Sequence, residues 1–322
     1  MVNRRNLGFI TLLLVATFCM GSSFPTGKFL ISTESLPPFF LGGVRFVVAG
    51  MIVLAICRYQ YGLAGVIPTF RGSMFFGFLN VSIVGLLQTA AAMGFLNLAL
   101  MRIDSALASV LFFTNPLWVL ILAHFTKMER LTMKRLVGLL LGILGVMLCL
   151  KLGKGGNYLG MIFALLGALS WALCTISVRS FCRIDSTPFS LAGWQMLMGG
   201  FILSVISLSS SESYDWAQLS GLGWFNLAWL IIPASIGSVS LWFMALQKGG
   251  VSQTSSFLFL VPMFATVFAM IFLGEALTVK FILGCLLIFL AIYLVNHTSK
   301  PRKKEGESIS PSPIGGNRAH PN

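Results

Sequence analysis

ALMRIDSALASVLFFTNP, residues 99–116, is matched 146 positions later by ALQKGGVSQTSSFLFLVP, residues 245–262. The alignment sets Arg102 against Lys248, Ser109 against Ser255, Phe113 against Phe259 and Pro116 against Pro262. At the same offset of 146 it continues through Glu129 and Glu275, Leu131-Thr132 and Leu277-Thr278, Lys134 and Lys280, and Gly138 and Gly284. Earlier in each half the offset becomes 150, pairing Pro38 with Pro188, Gly43 with Gly193 and Arg45 with Gln195. An apolar chain repeats leucines by composition alone; it does not keep charges and prolines in register that way. The chain is therefore an internal duplication.

Working outward, the apolar runs are long enough to cross a bilayer, which takes about 20 residues of helix. They fall at 7–27, 38–57, 72–101, 105–125, 132–150, 157–179, 188–208, 219–247, 251–273 and 278–296. The expected fold is all-α: a polytopic membrane protein of ten transmembrane helices, five per half. The third and eighth spans exceed the hydrocarbon thickness, so tilt, kink or protrusion is expected there. An odd number of spans per half starts the second half on the opposite side of the membrane. The halves are then inverted repeats, an arrangement typical of secondary transporters, with the substrate site near the midplane where the halves meet.

The domain reading is a short cytoplasmic N-terminus (1–6), a first repeat (7–150), a second repeat (157–296) and a basic tail (297–322). With the N-terminus inside, five of the 22 Lys and Arg fall outside (Lys28, Arg102, Lys151, Lys154, Lys280), Arg45 lies within a span and the rest fall inside. That bias favours both termini in the cytoplasm. The tail from Thr298 is rich in Pro and Gly, lacks an apolar period and is expected to be disordered.

Composition excludes much. The chain has 322 residues, 57% hydrophobic and 10% charged, with mean hydropathy +0.90. A soluble domain carries about 25% charged residues, so most helix exteriors must face lipid. The net charge of +13 sits in short clusters between apolar runs, which argues for membrane topology rather than nucleic-acid binding. Arg4-Arg5 before an apolar stretch resembles a signal peptide, but no small-residue cleavage site follows, and the segment reads as a first helix that stays. The six cysteines show no C-x-x-C spacing and imply neither a disulfide nor a metal site. No Gly-rich nucleotide loop is present, and the nine acids all lie in loops, at span ends or in the tail. Direct drive by ATP, a proton relay through a buried acid and a clustered catalytic set are all disfavoured. No enzyme activity and no cofactor are expected.

The runs MGSSF (20–24), ALMRIDSALASVLFFTNP (99–116), MERLT (128–132), ALSWALCTISVR (168–179), ALQKGGVSQTSSFLFLVP (245–262) and GEALT (274–278) resemble the EamA family of the drug/metabolite transporter superfamily. The resemblance covers residues 7–296. The first half departs from the family pattern at Met20, where Trp is frequent, and at Met128, where Gly usually precedes Glu. The resemblance implies ten helices, alternating access and export of amino acids or related small metabolites, cystine- or cysteine-like ones among them, across a bacterial inner membrane. A lipid or polyisoprenoid flippase, or a small-molecule receptor of the same fold, is the alternative.

Candidate site residues follow from polarity at mid-span. Arg45 lies inside the apolar run Leu41–Cys57, and a charge there costs about 2.5–3.5 kcal/mol or more on insertion scales unless it faces protein or water. It is either a receiver for a substrate carboxylate or a strut that satisfies backbone carbonyls. Gln195, its repeat mate, stands beside Trp194, and both are candidates to flank one cavity with it. Gln88 and Thr89 are mid-span in the third run, next to Ala90–Ala92, which suits a cavity wall or close helix packing. Ser235, Ser238, Ser240 and Trp242 mark the eighth run, with Ser238 and Trp242 taken as substrate-facing. Trp171 and Phe24, in the paired first helices, are cavity aromatics or core. Pro116 and Pro262 break matched backbone ladders and are candidate hinges. Gly138, Gly142 and Gly145 form a close-packing ridge, a possible homodimer contact among its uses. Glu129 and Glu275 are expected to start the helix that follows each of them.

Overall fold

A computed structural model describes residues 4–128, 132–149, 157–180, 185, 187–242, 244–245, 257–276 and 278–297. Glu129, Lys248, Ser255 and the tail lie outside these. The described residues form helices and no strands, in keeping with the all-α expectation. In chain order they are α1 (Arg4–Ser32), α2 (Pro38–Tyr61), α3 (Met74–Leu100), α4 (Ser105–Phe125), α5 (Met133–Cys149), α6 (Tyr158–Ser180), α7 (Pro188–Ser209), α8 (Gly221–Trp242), α9 (Leu260–Leu273) and α10 (Val279–His297). Seven of these are long and apolar enough to cross a membrane: α1 to α4 and α6 to α8. Over their described residues α9 and α10 are apolar but shorter, and α5 has 17 residues with Lys134 and Arg135 in its first turn.

Local chemistry sets the ends. Pro38 and Pro188 open α2 and α7, where the missing N–H would have had no helical partner anyway. Side-chain oxygens of Ser73, Thr187 and Ser220 accept from the first turns of α3, α7 and α8. Large side chains such as Phe75 (72% exposed) and Ile271 (67%) stand on the outer surface, which is sustainable only against lipid.

The two overlong spans are not continuous α-helices. In α3, residues Gly85–Ala91 form a π-helical segment, and in α8 residues Ile232–Gly237 do the same. Such insertions in α-helices are rare and frequent at functional sites. The α4 helix is interrupted at Phe113–Thr114, and Pro116 sits in the first turn of its second part. Pro262 likewise lies near the start of α9, just after a 3-10 turn at Phe257–Phe259.

The principal packing partners are α2 with α7, α5 with α10, α1 with α9, α3 with α7, and α6 with both α3 and α4. Small residues allow the close approaches. A Cβ on Gly50 of α2 would stand 2.6 Å from the Leu197 amide nitrogen of α7, and one on Gly21 of α1 would stand 2.7 Å from the Phe264 Cβ of α9. Gly142 and Gly145 face Leu117 of α4 and Gly284, Ile288 and Ala291 of α10, so this part of the glycine ridge is used within the chain.

Loop carboxylates fasten the ends. Glu34, between α1 and α2, accepts from the amide and hydroxyl of Ser220 at the start of α8. Glu212, between α7 and α8, accepts from the Phe40 amide of α2 at 2.8 Å. At the opposite end of the bundle, Asp185 accepts from the Arg71 amide at 2.8 Å. Glu275 does not serve the helix that follows it; α10 is opened by Thr278, whose hydroxyl accepts from Phe281. Its carboxylate instead reaches the first turn of α4, because Gly274 adopts φ +65° and turns the chain back over that helix end.

Candidate functional site

The two π segments, the break in α4 and the middles of α1, α2, α6 and α7 converge on one cavity of about 140 Å³. Arg45 enters it from α2. It is 8% exposed; its Nε donates to Ser235 Oγ at 2.8 Å, and its guanidinium carbon lies 4.6 Å from the Phe46 ring centroid. Ser235 in turn donates to the Leu230 carbonyl five residues back, the spacing that the π segment creates. The serine thus turns its oxygen towards the arginine because its own proton is held by the helix. Among the described residues no acidic side chain lines the cavity. Arg45 is the charged group of this wall.

The polar neighbours come from mated helices. Gln88 and Thr89 lie within the π segment of α3, and Gln195 lies on α7, all lining the cavity. Ser238 also lines it, but its hydroxyl donates to Ala234 O at 2.8 Å and Ser235 O at 3.2 Å, so its proton is used locally. Thr89 also packs on Gly199, tying the π segment of α3 to α7.

Much of the remaining lining is aromatic. Trp171 of α6 lies 5.4 Å from Phe112 and 5.7 Å from Phe113, ring centre to ring centre, and Phe24 of α1 lies 6.1 and 6.0 Å from the same two. Phe112 and Phe113 stand at the break in α4, where the end of one helical part turns consecutive rings onto one surface. Met20, Met93 and Met196 complete the lining with Ser23 and Leu96.

Of the sequence candidates, the cavity gathers Arg45, Gln88, Thr89, Trp171, Gln195 and Ser238, together with Phe24 and Ser235. It does not include Trp194 or Trp242. Trp194 is a neighbour of Gln195 in sequence but points about 100° away around the helix. Its indole donates to Val66 O at 2.7 Å and its ring meets Phe78 edge-on, pinning the α2–α3 link to α7. Trp242 is half-buried beyond the cavity lining. Pro116 and Pro262 do not line the cavity either. The lining residues that sequence reasoning missed include Phe112 and Phe113, with Met20, Ser23, Met93 and Met196. The Phe-Phe pair just before Asn115-Pro116 was the usable signal, because a helix interrupted there exposes rings at mid-bilayer depth.

A second, larger groove of about 370 Å³ opens between α1, α8 and α9. Its walls are Phe18, Phe29, Phe225, Phe268 and Phe272 with Ser22, Thr26 and Asn226, and no charged residue lines it. Trp229 Nε1 donates to Ser22 Oγ at 2.9 Å across its floor. Ser22 faces this groove and Ser23 the central cavity, so one helix, α1, separates the two.

Comparison with known proteins places this architecture. A WAT1-related chloroplastic protein of Arabidopsis thaliana is 30% identical over 276 residues, covering 82% of this chain; the match spans 64% of that longer protein. An uncharacterized transporter of Synechocystis is 28% identical, with 88% of each chain covered. The uncharacterized inner membrane transporter YedA of Escherichia coli is 27% identical, over 82% of this chain and 83% of its own. A crystal structure with 19% identity has a TM-score of 0.63 over 92% of this chain and 99% of its own, a likeness of fold. The model of the EamA-like transporter family matches residues 7–151 and again 158–297. With a buried cavity among apolar membrane helices and the family pattern met in both halves, the chain belongs to the EamA-like transporter family.

Proposed function

We propose that the chain is a ten-helix secondary transporter built from two inverted five-helix repeats, and that it exports amino acids or related small metabolites by alternating access. The observation that carries the reading is Arg45: a buried cation at the junction of the halves, held by one serine, with no acidic partner among the described cavity residues. An anionic substrate group supplies the missing countercharge. Intramembrane charges facing a cavity mark substrate paths.

Several relationships support the inverted repeat. Exchanging each helix with its mate five places on carries α2–α7 and α5–α10 onto themselves and α1–α9 onto α6–α4. The π segments fall in mates, α3 and α8. The Glu34–Ser220 contact at one end corresponds, 149 to 151 positions away, to Asp185–Arg71 at the other. The basic-residue bias puts both termini in the cytoplasm of a bacterial inner membrane, so the α1–α2 link faces outward. A homodimer would need a face other than Gly142 and Gly145, which α10 and Leu117 already cover.

Proteoliposomes loaded with a panel of labelled amino acids, cysteine and cystine included, test the reading. Efflux that is saturable and falls at least about tenfold in Arg45→Gln supports it; equal efflux from Arg45→Gln and unmodified protein sinks it. Lipid or polyisoprenoid flipping is the second reading, favoured by the apolar groove between α1, α8 and α9. Scrambling of a fluorescent phospholipid in the same vesicles, without amino-acid efflux, would select it.

A further inference from the structure

We infer that the cavity recognises a carboxylate and an apolar body but leaves an amino group unread, so its substrate class is amphipathic monocarboxylates, deaminated acids as well as amino acids. The inference rests on the transporter reading above and narrows it.

The lining is of two kinds. Arg45 and Ser235 share one part of the lining, and with Nε given to Ser235 the two terminal guanidinium nitrogens of Arg45 are the donors left for a carboxylate, as an end-on pair. The same cavity is lined by the cluster of Phe24, Phe112, Phe113 and Trp171, four rings within about 6 Å of their neighbours. These rings offer apolar surface for the rest of the molecule. The methionines Met20, Met93 and Met196 add unbranched, polarisable surface that adapts to bodies of different outline. Such a wall selects for apolarity, not for one shape.

An α-ammonium group finds no comparable partner. No carboxylate lines the cavity among the described residues, and the uncharged acceptors Gln88, Gln195 and Thr89 serve a hydroxyl as readily. Geometry makes matters worse for the cation. The α-amino group is one carbon removed from the carboxylate, so a carboxylate on Arg45 holds the ammonium near the same guanidinium, like charge against like. The nearest ring, Phe46, already lies against the Arg45 guanidinium at 4.6 Å and gives the ammonium no free cation–π partner there. Removing the amino group therefore removes a repulsion and a desolvation penalty and loses no ion pair.

Three probes sharing one body separate the terms: phenylalanine, 3-phenylpropanoate and phenethylamine. Binding to the purified full-length protein is measured by competition against radiolabelled 3-phenylpropanoate and by equilibrium dialysis of each probe. The expected order is 3-phenylpropanoate at least as tight as phenylalanine, and both at least about tenfold tighter than phenethylamine. Arg45→Gln should weaken both carboxylates by about tenfold or more, with Arg45→Lys between, since the ammonium keeps the charge but not the fork. Thermal melts of the unliganded variants establish that they are folded, and Trp171→Leu, which thins the aromatic wall without touching Arg45, should weaken all three probes together. Phenylalanine binding about tenfold tighter than 3-phenylpropanoate would overturn the inference, as would phenethylamine binding as tightly as either acid or no binding by any probe. The transporter reading fails separately: probes that bind as expected but are never moved by proteoliposomes leave the selectivity standing and remove transport. Movement of a polar metabolite with no probe binding does the reverse.

Discussion

The carboxylate of Glu275 accepts hydrogen bonds from Ser105 N at 2.7 Å, Ser105 Oγ at 2.8 Å and Ala106 N at 2.9 Å, so the α9–α10 link of one half caps the first turn of α4 in the other. Beside it, Lys28 Nζ donates to the carbonyls of Leu100 and Ile103 at 2.7 and 3.1 Å, at the end of α3. One α3–α4 turn is thus held by an anion on its amides and a cation on its carbonyls, each matched to the helix dipole. Glu275→Ala should destabilise the folded protein by about 1–3 kcal/mol, the loss of charged hydrogen bonds to a helix start. Glu275→Gln, which keeps an acceptor oxygen, should recover part of that. Detergent melting curves read the difference; unchanged melting in Glu275→Ala would show that water replaces the carboxylate without loss.

Arg45 and Ser235 form the bond that joins α2 to the π segment of α8. Ser235→Ala removes the acceptor and leaves the guanidinium free to reorient. Efflux is expected to fall by about three- to tenfold, corresponding to about 1 kcal/mol, the net worth of a typical hydrogen bond. Arg45→Lys should fall further and Arg45→Gln furthest, with all three inserting normally. Loss of Arg45→Gln from the membrane fraction would make Arg45 a strut instead of a binding group.

Pro116 opens the second part of α4, directly after the break that presents Phe112 and Phe113. Restoring continuity with Pro116→Ala should change transport more than expression, and Pro262→Ala should act alike in α9. Wild-type rates in both variants would mean that the prolines shape the helices without serving as hinges.

Topology is open to direct measurement. Single cysteines at Glu212 and Asp215 should react with an impermeant thiol reagent from outside, and one at Lys127 should not, after the native reactive thiols are replaced. Labelling of the Lys127 position alone would invert the orientation and reverse the direction of export.

Seven of the spans, the family pattern in both halves and the polar residues of the cavity were legible in the sequence, for a physical reason. Lipid leaves little freedom: a polar residue at mid-span must face inward, which is why Arg45, Gln88, Thr89 and Gln195 could be picked out by position. The π segments were not legible, because one extra residue in a turn does not disturb an apolar run. Trp194 was misplaced because adjacency in sequence says nothing of angle around a helix whose faces are all apolar. The reach of Glu275 to Ser105 was hidden because a helix start looks alike whether its anion comes from the same link or from 170 positions away.

The matched π segments have a mechanical consequence. Each stores one residue more than an α-turn needs, and such a surplus can migrate along its helix by exchanging one carbonyl partner for the next. As it passes, the side chains it crosses swing by about 100°, the angle per residue of an α-helix, while every amide stays bonded. Gln88 and Thr89 in one half, and Ser235 in the other, ride on these surpluses. The cavity thus has, in two of its lining helices, a way to change which groups it presents without unfolding a turn in a solvent that cannot hydrate one. Deleting Ala91, which would absorb the surplus into regular helix, should leave insertion intact and freeze α3 in a single register, with transport lost.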